Sequence, residues 1–552
     1  MTRKTREAIN RIKPILIGFL LLIVAISVGA QDIFEAIRAN DLDKVKTLIE
    51  KDKEAVKQTT NHGDTPLHIA GLVDNEEIAK LLIEHGADLH ALNGSLYTPL
   101  MRAGSKVTRL LVEKGADINM VTSDGQLSAL VVALMSKEKE VAEYLLERGA
   151  RIPDKEHVYF RMNLINATKK GIISYLEKCL QDGFDPLDEG EAQSSLFHYA
   201  AESDSVELLD KLLSLKVPFD RANIYGWTPL HHAAHYGNRV TIEWLIKKGA
   251  DENRRTTDGS SPYNLAVEAN NKDVISYLKG IKADQSPQRF PDLAGDYLGQ
   301  RNPGRDPVPF APGIISAKLQ FHSTIAFSKD GDEAYWGCPN IFHSSRKNGK
   351  WTKPDTSSFI GKADAPFFSP DGKRLFFIAQ IGERVFEREA IGYVERRDPG
   401  WSESKLLPDD VNETPGIHFG ASVDLKGNIY FGARQGGTVV SRIFYSEFID
   451  GAYTKPKIME PLKDMDAYSP YIAPDGNYLI YTSRDSGLMV SFRKRGGGWT
   501  EGQPVLKSKE YPYRCPIVSH DGRFLFFLCF VDNRYIPYWV SAKIIEELRP
   551  KK

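Results

Sequence analysis

Over the first half of the chain, apolar residues come in short bursts at helical spacing, each closed by a glycine. Ile78-Ala79-Lys80-Leu81-Leu82-Ile83 runs into Gly86-Ala87-Asp88, and Trp244-Leu245-Ile246 runs into Gly249-Ala250-Asp251. Each burst predicts an amphipathic helix whose Leu/Ile stripe buries against a neighbour and whose glycine supplies the left-handed residue that ends it. Helical periodicity stops near residue 284, where Pro, Gly, Asp and Arg dominate through 309, which predicts a semi-rigid strap. Beyond 310 the pattern changes again. Runs such as Leu375-Phe376-Phe377-Ile378 and Phe524-Leu525-Phe526-Phe527-Leu528 do not alternate with polar residues, so they predict strands buried on both faces.

The helical bursts are preceded by a second recurring element. Residues 64–70 read D-T-P-L-H-I-A and residues 226–234 read G-W-T-P-L-H-H-A-A, with Tyr97-Thr98-Pro99-Leu100 between them. Thr caps the first helix of each unit, and Pro occupies a first turn where a missing N–H costs nothing. This combination resembles the ankyrin repeat, a turn plus two antiparallel helices, over residues 31–283. About eight such units stack into one continuous core, since one alone cannot bury its own apolar face. The third copy is short: Thr98 to Gly115 spans 17 positions where Thr65 to Gly86 spans 21, and Met101 replaces His. The stretches 157–187 and 191–223 keep only fragments of the pattern.

The resemblance implies that His68, His198 and His231 serve hydrogen bonding between repeats. It also implies partner binding at the turn and first helix, where Tyr225, Trp227, His232, His235 and Tyr236 gather as an expected exposed, aromatic partner-binding edge. His232 and His235 lie three apart on one helix, yet no acidic or Cys ligand stands at metal spacing, so no metal is expected.

In the second half, Ser328-Lys329-Asp330-Gly331, Ser369-Pro370-Asp371-Gly372, Asp424-Leu425-Lys426-Gly427, Ala473-Pro474-Asp475-Gly476 and Ser519-His520-Asp521-Gly522 recur with glycines roughly 41 to 55 residues apart. Each sits between two apolar strands. The repeat resembles the WD-like repeats of TolB-type bacterial propellers and implies an all-β propeller of about five blades over 310–548. The expected fold is therefore multidomain: a leader (1–30), an all-α ankyrin solenoid (31–283), a Pro/Gly-rich linker (284–309) and the propeller.

Composition changes this picture little. The 552 residues are 41% hydrophobic and 26% charged, and 72 basic side chains against 73 acidic ones leave a net charge of -1. No global field favours nucleic acid. The amino terminus matters more. Basic residues up to Lys13 precede the apolar run Pro14–Val28 and the small residues Val28-Gly29-Ala30, the layout of a secretory signal peptide. An uncleaved anchor is the alternative; with cleavage after Ala30 no membrane span remains, and the location is periplasmic or secreted. Four cysteines are too few for a disulfide scaffold, although Cys515 and Cys529 flank one hairpin turn.

The sequence contains no G-x-S-x-G, H-E-x-x-H, Walker or G-x-G-x-x-G motif. His418 and Asp424 share a blade without the spacing of an acid–base pair. The expectation is a non-enzymatic scaffold with protein partners and without catalytic residues, cofactor or metal. The alternative is a carbohydrate- or peptide-active propeller with an ankyrin targeting module, which a funnel of convergent carboxylates, His and Arg would favour.

Overall fold

Capping and glycine placement put helices where the periodicity does. The computed structural model describes residues 33–550 apart from 123–124, 137, 156, 158, 189, 191, 316–323, 338–339, 358–359, 382–387, 413–416, 435–439, 507–512 and 532–533. The leader, Cys338 and the His418 side chain lie outside the described residues. The described chain forms two compact units: residues 33–188 with 199–217, and residues 190–198 with 218–550.

Eight helix pairs run from residue 33 to Gly280. In the second pair, Thr65 caps Pro66–Leu72, and the His68 ring accepts from the Thr65 N–H at 3.1 Å through Nδ1. That contact fixes the proton on Nε2, which donates to Tyr97 O in the next repeat at 2.9 Å. His198 repeats the bond to Trp227 O at 3.0 Å, and His231 repeats it to Arg254 O at 2.9 Å. The shortened third repeat has room only for a 3₁₀ turn, Leu100–Arg102. Two acids of the preceding repeat compensate. Asp64 accepts from Arg102 at 2.9 Å and from Asn93 at 2.7 Å, while Asp74 accepts the N–H of Val107 at 2.9 Å and so caps Ser105–Glu113. Helix pairs persist through the drifted middle, as Phe160–Lys169 with Ile173–Gln181 and Leu196–Ala200 with Val206–Ser214.

Among the described residues the β half forms five antiparallel blades arranged as a propeller, with a separate two-stranded hairpin, Phe448–Ile449 with Ala452–Tyr453, and each blade's innermost strand follows its predecessor around the axis. The innermost strands are Ala326–Phe327, Ala363–Phe368, Ile417–Val423, Ala467–Ile472 and Arg514–Val518. Blade 5 draws its outermost strand from the far side of the sequence: Val308 and Pro309 pair with Trp539 and Tyr538. Phe310, fully buried, follows among Phe327, Phe526 and Trp539. The S-x-D-G turns close one rim. Ser369 Oγ donates to Asp371 at 2.6 Å and Ser519 Oγ to Asp521 at 2.6 Å, so these acids are turn residues.

The compact unit that holds the propeller also takes in residues 218–283, because the strap is bonded on both sides. Toward the last repeat, Arg255 donates to Asp284 at 2.6 Å and Gln288 donates to Asp258 at 3.0 Å. Toward the propeller, Lys353 donates to Gln288 at 2.8 Å, the Trp351 indole donates to Gly295 O at 2.8 Å, and Tyr297 donates to Asp521 at 2.8 Å. Gly259 lets the strap approach. Its φ is +81°, and a Cβ there would lie 1.7 Å from Arg289 O. Gly259→Ala is therefore expected to cost about 1–3 kcal/mol. Thermal unfolding and limited proteolysis mapped to 284–290 check it, cleavage there rising in the variant.

Candidate recognition surface

The five aromatic and histidine side chains expected at an exposed edge divide sharply by position. Tyr225 and Trp227 belong to one continuous apolar cluster with Leu265 and with Ala542 and Ile545 of the propeller's last helix. Tyr225 is 2% exposed, Trp227 5% and His232 4%. His235 is half-buried, and Tyr236 is 52% exposed. The expectation of an exposed aromatic edge is thus corrected for three of the five. Asn223 accepts the N–H of Tyr225 at 3.0 Å and of Trp227 at 3.1 Å and so tightens the turn that carries both rings.

These rings build a packed polar–aromatic cluster. Trp227 meets His232 edge-on at 5.1 Å and His235 at 5.5 Å, His232 stacks on Tyr236 at 6.2 Å, and His198 meets His232 at 5.4 Å. Burial, reinforced by neighbouring His232, holds His198 down at about 3. Burial likewise lowers His231 to about 4, although its bond to Arg254 O pulls the other way. Both rings are neutral at pH 7, and among the described residues no cluster suited to a metal ion occurs.

Exposure falls instead on a position that the motif did not flag. Leu72 (55%), Met135 (51%), Tyr236 (52%) and Val267 (48%) all end, or nearly end, the first helix of their repeats. They stand six to eight residues after the capping Thr or Ser, a spacing visible in sequence once the caps are aligned. Val267 and Tyr263 also border a groove of about 710 Å³ between helix Pro262–Glu268, the strap and blade 1. Phe290, Ile314 and Phe342 supply its apolar wall, and Gln285, Gln288 and Lys353 its polar rim. Its size and mixed lining suit a peptide segment or a small ligand.

The propeller's axis offers a different environment. On the S-x-D-G side it is an apolar cavity of about 70 Å³. His418 and Asp424 stand at opposite ends of strand Ile417–Val423, roughly 20 Å apart by strand rise. Asp424 is occupied as a turn acceptor for Lys426, at 2.9 Å, and Asn428. Cys515 and Cys529 pack into different clusters and are not bridged to each other.

The family model for ankyrin repeats matches three copies, over residues 33–122 and 197–288. The N-terminal half carries ankyrin repeats. The stretch between the matches is the drifted middle, where helix pairs survive without the motif. The chain is similar to Ankyrin repeat protein nuc-2 of Neurospora crassa, 27% identical over 236 residues, which is 41% of this chain and 22% of that protein. It is similar to Ankyrin repeat and KH domain-containing protein mask-1 of Caenorhabditis elegans, 24% identical over 347 residues, 62% of this chain and 11% of that protein. It is also similar to human Transient receptor potential cation channel subfamily A member 1, 25% identical over 236 residues, 41% of this chain and 18% of that protein. The aligned part of this chain thus spans less than a quarter of each relative's length.

Proposed function

We propose that this chain is an exported, non-enzymatic scaffold that holds protein partners in the periplasm or outside the cell. The observation that carries this reading is the repeated exposure of a large apolar side chain at the end of the first helix, in Leu72, Met135, Tyr236 and Val267. Isolated surface apolar residues need no explanation, but the same position exposed in four repeats suits a partner-facing surface. Export is supported by the basic, apolar and small-residue succession over Met1–Ala30. The recurring S-x-D-G turns support a propeller of the TolB type, and with it an envelope setting.

Crosslinking in the producing cells tests the reading, with wild type compared against Tyr236→Glu/Val267→Glu. Both positions are exposed, so stability is expected to stay within about 0.5 kcal/mol per substitution. The wild type is expected to capture a discrete set of proteins that the variant loses. A set unchanged by the substitutions would remove the ankyrin face from the reading, and no captured protein would overturn the scaffold.

A further inference from the structure

At the rim opposite the S-x-D-G turns, the innermost strands of four blades break register at equivalent places. The residue at each break has left-handed backbone: Ala365 (φ 48°), Gly420 (65°), Ser469 (48°) and Cys515 (53°). Three of these are not glycine, so the conformation carries strain of the kind that gathers at binding sites, and bulges of this sort re-aim neighbouring side chains. Here they bring blades together at the axis. Ser469 Oγ lies 3.6 Å from Cys515 Sγ, Thr324 Oγ1 donates to Cys515 O at 3.1 Å, and a Cβ on Gly420 would lie 3.6 Å from Ser469 Cα. The small cavity on the S-x-D-G side lies at the other end of these strands.

Arg514 stands beside the bulge residue Cys515, at the start of its strand. Its guanidinium lies 5.0 Å from the Tyr535 ring and 5.9 Å from the Tyr468 ring. Its Nε–H is buried without a hydrogen-bond partner. No described carboxylate pairs with it, whereas nearby Arg484 is paired with Asp466 at 2.5 Å and Arg442 donates to Ser441 O at 3.2 Å and Met465 O at 3.1 Å. A cation positioned by aromatic rings, with a donor left over in a desolvated place, is costly unless an anion completes it. The geometry points to a carboxylate-binding site at the propeller mouth, in which Arg514 grips the carboxylate of a small free acid or of a peptide C-terminus. The planar fork of a guanidinium matches a carboxylate edge, and a single such cation suits a monoanion. The adjacent Cys515 thiol is pushed up to about 11 by burial, so it stays protonated and the site binds without offering a nucleophile.

Calorimetric titration of the full chain with N-acetylglycine, with acetyl-trialanine bearing a free C-terminus, and with the amides of both tests this. At least one acid is expected to bind, and its amide at least about tenfold more weakly, as a charge-assisted bond requires. A peptide acid that binds tighter than N-acetylglycine identifies a chain terminus, and equal binding identifies a small acid. Arg514→Gln is expected to weaken binding by about tenfold or more, and Arg514→Lys to fall between, having charge without the fork. The lysine variant carries the test if the glutamine variant melts early. Failure of both acids to bind at millimolar concentration, amides that bind as well as acids, or Arg514 variants that bind like wild type would each overturn the proposal.

Discussion

Trp227→Ala is expected to destabilise the repeat it anchors by about 3–5 kcal/mol, the cost of removing a large ring from a packed interior. The indole is 5% exposed and lies in one cluster with Tyr225, Leu265 and the propeller's terminal helix. Its backbone carbonyl accepts from His198 at 3.0 Å and from the Asn223 N–H at 2.8 Å, so loss of the ring loosens a turn on which the neighbouring repeat depends. Tyr236→Ala, on the same helix pair, is expected to stay within about 0.5 kcal/mol. Urea titration followed by tryptophan fluorescence and far-UV circular dichroism separates the two. A Trp227→Ala variant as stable as Tyr236→Ala would show that the ring is not part of the core.

The second large effect is on acid stability. His198 and His231 are held at about 3 and about 4 in the folded chain, chiefly by burial. An unfolded histidine takes up its proton near pH 6.5, so below that value the unfolded state binds protons that the folded state refuses. Stability contributed by these rings is complete above pH 6.5 and is lost as pH falls toward the folded values. The slope is about 1.4 kcal/mol per pH unit for each histidine, or on the order of 5 kcal/mol for both across two units. Between pH 7 and 5 few carboxylates titrate, so a falling melting temperature there reports the histidines. His198→Gln is expected to flatten that fall by about a third to a half, because burial also lowers His68. A melting temperature constant from pH 7 to 5 would sink the assignment.

Much of the architecture was legible because each repeat writes its own boundary. T-P-L-H sets a cap, a first turn and an inter-repeat bond, and S-x-D-G sets a turn between two apolar strands. What escaped the sequence depends on neighbours far along the chain. Tyr225 and Trp227 look like exposed aromatics beside a turn, and only the folded chain shows them in one buried cluster with Leu265, Ala542 and Ile545. The strand Val308–Pro309 has two residues, one a proline, so it carries no periodicity and sits within the segment expected to be linker. The bulge residues Ala365, Gly420, Ser469 and Cys515 share small size and nothing else that marks a site. Arg514 likewise becomes conspicuous only when Tyr468 and Tyr535, from other strands, are seen against it.

The outer strand of blade 5 also fixes an order of events during synthesis. Val308 and Pro309 leave the ribosome before any other strand of the propeller, and their partners Tyr538 and Trp539 leave after nearly all of them. Tyr297 and Asp521, which bond across 224 positions, are under the same constraint. Helix pairs, whose contacts are local, can form as they emerge, while the ring waits for a closure of high sequence separation. Between residue 309 and residue 539 the chain therefore carries an edge strand whose partner has not yet been made, the interval in which a chaperone has most to protect.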